Sequence, residues 1–200
     1  MSEKELMAVL IGLGLLAVFA LPIIYLVRHK MKIKRVWAAF ASQNSLTHEE
    51  GRYPVVFGGI DGRVFEMGSA IGRNPASGRA SNQQLVEFYG WAEIFGNVPN
   101  GFIAGKKGAL QGKGPIQTDS DQFNRKVWAD SVDKEAGKVY LTPERQEALL
   151  ALVKYDGLVY GPQGDAPPIV TLSRSGYKVR LEWLEERKDV ILKTAKAFDN

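Results

Sequence analysis

A chain of 200 residues, 45% hydrophobic and 24% charged, has the length of one domain with an appendage and a globular composition that excludes a disordered chain. Its formal net charge of +4 arises before residue 36: residues 28–35 hold five cations and no acid, whereas residues 36–200 hold 20 basic and 20 acidic side chains. A nucleic-acid binder carries its cations on the folded body, and a chain without cysteine has no disulfide, thiol nucleophile, iron–sulfur cluster or thiolate zinc site.

The first element is LMAVLIGLGLLAVFALPIIYLV at residues 6–27, a run of 22 residues without a charge. As a helix it reaches ~33 Å, enough to cross a hydrocarbon core of ~30 Å. A secretory signal has a basic head and an apolar run of ~7–15 residues. Here the head, MSEKE, is net acidic and the run is longer, so the segment predicts a single transmembrane helix. One Lys precedes it and five Lys or Arg follow, which by the positive-inside rule puts the N-terminus outside an inner (cell) membrane and the rest in the cytoplasm. Tyr25 falls at the inner interface, where a ring lies well among headgroups, and Pro22 kinks the last turns or is tolerated there. Ala8 and Gly12 form a small-xxx-small pair that either admits a second helix or faces lipid.

RHKMKIKRVWAAFASQNSL then continues as a helix, because Ile33, Val36, Trp37 and Phe40 recur at i, i+3, i+4 and i+7. Arg28, Lys30, Lys32, Lys34 and Arg35 occupy its start and its other faces. They suffice as a topology signal, and each also gains ~1 kcal/mol near an anionic leaflet. The chain thus divides into residues 1–35, span and basic segment, and residues 36–200, a cytoplasmic domain docked through Trp37 and Phe40.

Within the domain, YPVVFGGIDGRVFEM is a hairpin about Asp61-Gly62. Residues 68–84 are small, polar and rich in turn formers, and read as a long loop. LVEFYGWAEIF is a strand with Val86, Phe88, Ala92 and Ile94 on one face and Glu87, Tyr89, Trp91 and Glu93 on the other. Tyr89 and Trp91 are either a partner surface or the underside of a covering helix. The glycine-rich stretch 101–114 lacks the Walker spacing and reads as a basic turn between strands, facing the membrane.

Asp119 and Asp121 begin like a calcium loop, but Phe123 and Asn124 stand where an oxygen ligand and a glycine are needed. Thr142 and Pro143 start a helix whose apolar positions are Leu149, Leu150, Leu152 and Val153 and which ends at Gly157. LVYG, PIVTLS and YKVRLEW read as strands, the last from the alternation of Tyr177, Val179, Leu181 and Trp183. LEERKDVILKTAKAFDN closes the chain as an amphipathic helix. The order predicts an α+β domain with a largely antiparallel sheet and about three helices.

Chemistry is sparse. The only histidines are His29, at the membrane edge, and His48, in a polar turn beside Glu49 and Glu50. No nucleophile elbow occurs, and GLGLLA at residues 12–17 imitates a dinucleotide fingerprint only inside the apolar run. No catalytic residue, metal site or cofactor is therefore expected.

The span, RVWAAFASQNSL, VVFGGIDGRVFEM and DSDQFNRKVWADSVDKEAGKVYLTPERQEALL together resemble a loose group of uncharacterised single-pass membrane proteins of prokaryotes. Where that group shows Phe-Asp, this chain has Phe123-Asn124. The layout is also similar to that of the H subunit of photosynthetic reaction centres, without a shared motif. The expectation is a membrane-anchored cytoplasmic module without a catalytic site, an accessory or scaffolding subunit that meets a protein partner and anionic headgroups but no nucleic acid. An enzyme acting on a lipid or membrane-bound substrate and an anionic-lipid sensor are the competing readings.

Overall fold

A computed structural model describes residues 3–51, 53–72, 85–108, 114–175 and 180–199. Helix α1 (Glu3–Gln43) runs for 41 residues, and its stripe changes environment along the way. Ile33 and Val36 are half-buried, whereas Trp37 and Phe40 are wholly buried in the core of the domain. Strands β1 (Thr47–Glu49), β2 (Val55–Ile60) and β3 (Arg63–Gly72) follow as antiparallel neighbours. The β2–β3 turn places Asp61 at φ 52° and Gly62 at φ 80°. Two left-handed residues in succession match the twist of a hairpin, which is why an Asp-Gly pair sits there.

Strands β4 (Leu85–Glu93), β5 (Ile103–Lys106), β6 (Val127–Asp130), β7 (Gly157–Tyr160) and β8 (Ile169–Ser175) complete one antiparallel sheet in the order β1-β2-β3-β4-β8-β7-β5-β6. Helices α2 (Asp121–Lys126), α3 (Lys134–Tyr140), α4 (Pro143–Leu152) and α5 (Leu181–Asp199) accompany it. The domain is therefore α+β with an antiparallel sheet, but the described residues hold five α-helices, against the three or so that the apolar periodicity suggests.

Register sorts the sheet into two faces. One cross-sheet row reads Phe65, Ala92, Val170, Val159, Ala104 and Ala129, and every member is buried. Helices α1, α4 and α5 lie against this inner face: Leu46, just after α1, meets Gly58, Leu152 meets Gly157, and Ile191 meets Gly90. Gly90 and Gly157 are where helix side chains close on the backbone: a Cβ at Gly157 would overlap Leu152, and one at Gly90 would stand 3.0 Å from the end of Ile191.

Several local expectations need correction. Residues 68–72 belong to β3, since their pairing with β4 runs to Gly72↔Leu85; residues 73–84 of the expected loop lie outside the described residues. The glycine-rich stretch is partly strand β5, while residues 109–113 lie outside the description. Helix α4 starts at the Thr142 cap as expected but ends at Leu152 in a 3-10 turn over Val153–Tyr155. Asp156, at φ 57°, reverses the chain, and Gly157 opens β7 instead. Leu181 and Trp183 are helical: Trp183 packs edge-to-face on Phe88 at 4.6 Å, and that contact with the inner face overrides the two-residue alternation. Residues 176–179 lie outside the described residues.

Among the described residues no helix is long and apolar enough to cross a membrane. The side chains of residues 8–17, and with them the Ala8 and Gly12 pair, lie outside the described residues.

Candidate functional site

Two surfaces carry the residues singled out by sequence. The first is the part of α1 that precedes the domain. Val18, Phe19, Leu21, Ile23, Ile24, Leu26 and Val27 are all exposed, between 47% and 70%. At 100° per residue this run covers the whole circumference of the helix, so no single face of it is apolar. Tyr25 is exposed as well and stacks on His29, with ring centroids 6.2 Å apart.

The five cations do not share one environment. Lys34 pairs with Glu50 at 3.1 Å, which joins α1 to the residue after β1. Arg28, Lys32 and Arg35 instead line a groove of about 670 Å³ with Met31, Val36, Ala39 and Leu181; Lys30 does not border it. Leu181 comes from the first turn of α5, so the groove exists only because α5 lies beside α1.

The end of α1 is fixed to the domain by a polar cluster. Asn44 donates through Nδ2 to Glu185 Oε1 at 2.7 Å, and Lys188 donates to Asn44 Oδ1 at 2.6 Å and to Glu185. With Trp37 and Phe40 buried beneath, the end of α1 is anchored in the core, and Pro22 lies within the exposed half of the helix.

The second surface is the outer face of the sheet. Its cross-sheet row reads Phe57, Glu66, Trp91, Thr171, Leu158, Gly105 and Trp128, and only the glycine in it is buried. Tyr89, one row over and opposite Gly68, lies across that glycine, with its hydroxyl 2.9 Å from where a Cβ would stand. The hydroxyl donates to Glu66 Oε1 at 2.8 Å. Burial, reinforced by the carboxylate, pushes the phenol up to about 12. Tyr89 and Trp91 are both half-buried. Sequence reasoning found Tyr89 and Trp91 on β4 but missed Phe57, Leu158 and Trp128. Their signal is cross-strand register, which periodicity within one strand does not reveal.

Elsewhere the concavities are open and of mixed charge. A cleft of about 770 Å³ between α4, α5 and the β2–β3 turn holds Asp61, Glu144, Glu147 and Asp189 against Lys188, Lys193 and Lys196. Lys196 bonds Asp61 at 2.8 Å and holds that carboxyl below its usual range. His48 is not in a polar turn: it lies in β1 opposite Val56, and its Nε2 is buried without a hydrogen-bond partner among the described residues. Glu49 points to the other side of the strand, which separates the ligands a metal would need. Among the described residues no group of three or more metal-ligating side chains gathers. Compared with protein-family models, curated proteins and solved structures, the chain matches none.

Proposed function

We propose that this chain is a single-pass membrane anchor carrying a cytoplasmic protein-binding domain, an accessory or scaffolding subunit of a membrane complex. The observation that carries the reading is the continuity of α1 from side chains apolar on every side to side chains buried in the domain. Apolar surface around a whole helix is stable against lipid or other helices and costly in water. The uncharged run at residues 6–27 has the length of a span, and the cations after it set the N-terminus outside. Ala8 and Gly12 offer a second helix close approach within the bilayer. On the domain, the half-exposed aromatic row around Tyr89 and Trp91 is the surface offered to the protein partner.

Alkaline carbonate extraction and protease protection of the full chain in native membranes test the anchor and its sidedness. Release by carbonate, or digestion of the domain from the outer side, overturns it. Cross-linking in native membranes followed by purification in mild detergent tests the partner; migration as a lone monomer counts against a subunit role.

A further inference from the structure

We infer that the groove between α1 and the start of α5 is a binding site for an anionic phospholipid of the adjoining leaflet, its phosphate held by Arg28, Lys32 and Arg35. The inference rests on the anchor reading above and adds a ligand to it. Arg28 follows the last apolar residue of the run, Val27, so the groove opens where headgroups lie.

The three cations recur at i, i+4 and i+7 and so share one face of α1. Among the described residues none of them meets a carboxylate in a salt bridge, although Lys34 on a neighbouring face does. Like charges at this spacing destabilise a helix, and an anion lodged between them removes that repulsion. Arg28 and Arg35 can each meet a phosphate through two parallel hydrogen bonds, and Lys32 between them adds a point charge.

The rest of the groove is apolar. Met31 borders it at the membrane side, and Val36, Ala39 and Leu181 close it at the domain side. Val36, Ala39 and Leu181 are half-buried, so the domain side of the groove is less polar than open water and strengthens the attraction of a phosphate to the guanidinium groups. The lining has no acid, which favours an anionic headgroup over a zwitterionic one. Two cations, Lys30 and Lys34, are left as topology determinants without a place in the site.

The test uses the full chain reconstituted in nanodiscs of equal phosphatidylglycerol and phosphatidylcholine, released into mild detergent, with retained lipid counted by native mass spectrometry. The chain is expected to retain phosphatidylglycerol preferentially. Arg28→Gln/Lys32→Gln/Arg35→Gln should lose that preference by roughly fivefold per cation removed, whereas Lys30→Gln/Lys34→Gln keeps it. Ala39→Phe, which fills the inner end of the groove with every charge intact, should also lose it. No preference in the native chain, equal loss from both glutamine variants, or full retention by Ala39→Phe overturns the site; the last is what an acidic partner segment in the groove would give. Carbonate extraction of the same chains separates the two readings, because a chain that stays in the membrane yet shows no lipid preference loses only the groove.

Discussion

Arg63 and Asp199, 136 residues apart, form an ion pair of 2.7 Å between the first residue of β3 and the last of α5. Arg63 is 3% exposed. It also donates to the Glu93 carbonyl at 3.0 Å and lies over the Phe95 ring at 4.9 Å, while Asp199 accepts from the Phe95 amide at 2.8 Å. One carboxylate therefore closes the C-terminal helix onto the sheet.

Asp199→Ala should accordingly cost far more than a surface charge change. It leaves the buried guanidinium without its counter-ion, a loss on the order of 3 kcal/mol. Asp199→Asn keeps an acceptor and should cost about half as much. Urea unfolding of the full chain in detergent reads the difference; equal stability of both variants and the native chain would show that the pair contributes nothing.

A second prediction concerns Asn124, which pins the segment before α2. Its Oδ1 accepts from the Thr118 amide at 3.0 Å and its Nδ2 donates to the Thr118 carbonyl at 2.7 Å. The same threonine hydroxyl donates to Gln146 on α4 at 3.2 Å. Asn124→Asp keeps the acceptor, removes the donor and sets a carboxylate against a carbonyl. It should lower stability by about 1–2 kcal/mol, a change the same unfolding experiment resolves. Asn124→Ala should lose a comparable amount, because the Thr118 groups are then both unpaired.

These two contacts mark the limit of what is legible in one strand or helix at a time. The turn at Asp61-Gly62, the cap at Thr142-Pro143 and the stripe through Trp37 and Phe40 are local chemistry, and all three lie where the residue types put them. Residues 68–72 look like loop because Gly68, Ser69 and Ala70 have no strand preference; they are strand because β4 pairs them, and Tyr89 covers the Gly68 backbone. Trp183 alternates like a strand residue but is placed by Phe88, a partner 95 positions away. The cationic groove was half legible: Arg28, Lys32 and Arg35 stand out in the sequence, whereas Leu181 joins them only through the docking of α5.

Tyr89 makes a third prediction, in pH. The phenol is raised in the folded chain, first by burial and then by its bond to Glu66, from 10.0 to about 12. Folding therefore holds this proton to higher pH than the unfolded chain does. The stabilisation is whole below pH 10.0 and disappears as pH rises through about 12. Tyr140 and Tyr155 are raised too, the first by burial and the second by its bond to Glu186, so the late phenol is read as the tyrosinate absorbance that Tyr89→Phe removes, and Glu66→Gln should bring it part of the way back. A complete return would mean that the carboxylate, not burial, dominates.

Trp91 provides the test of the proposed partner surface. It lies at the middle of the outer row, between Glu66 on β3 and Thr171 on β8, and is half-buried. A large aromatic at the centre of a binding face contributes on the order of 2 kcal/mol or more, so its removal should reduce recovery of a cross-linked partner from native membranes by tenfold or more. Trp91→Thr is the suitable change, because threonine suits a strand and leaves the inner row Phe65, Ala92 and Val170 untouched. The variant should stay in the membrane and unfold within about 1 kcal/mol of the native chain. Undiminished recovery would move the contact off the sheet, to the apolar half of α1. A collapse of stability instead would make Trp91 a structural residue whose ring shields the sheet, a role the Trp91→Phe chain, which keeps an aromatic there, should then rescue.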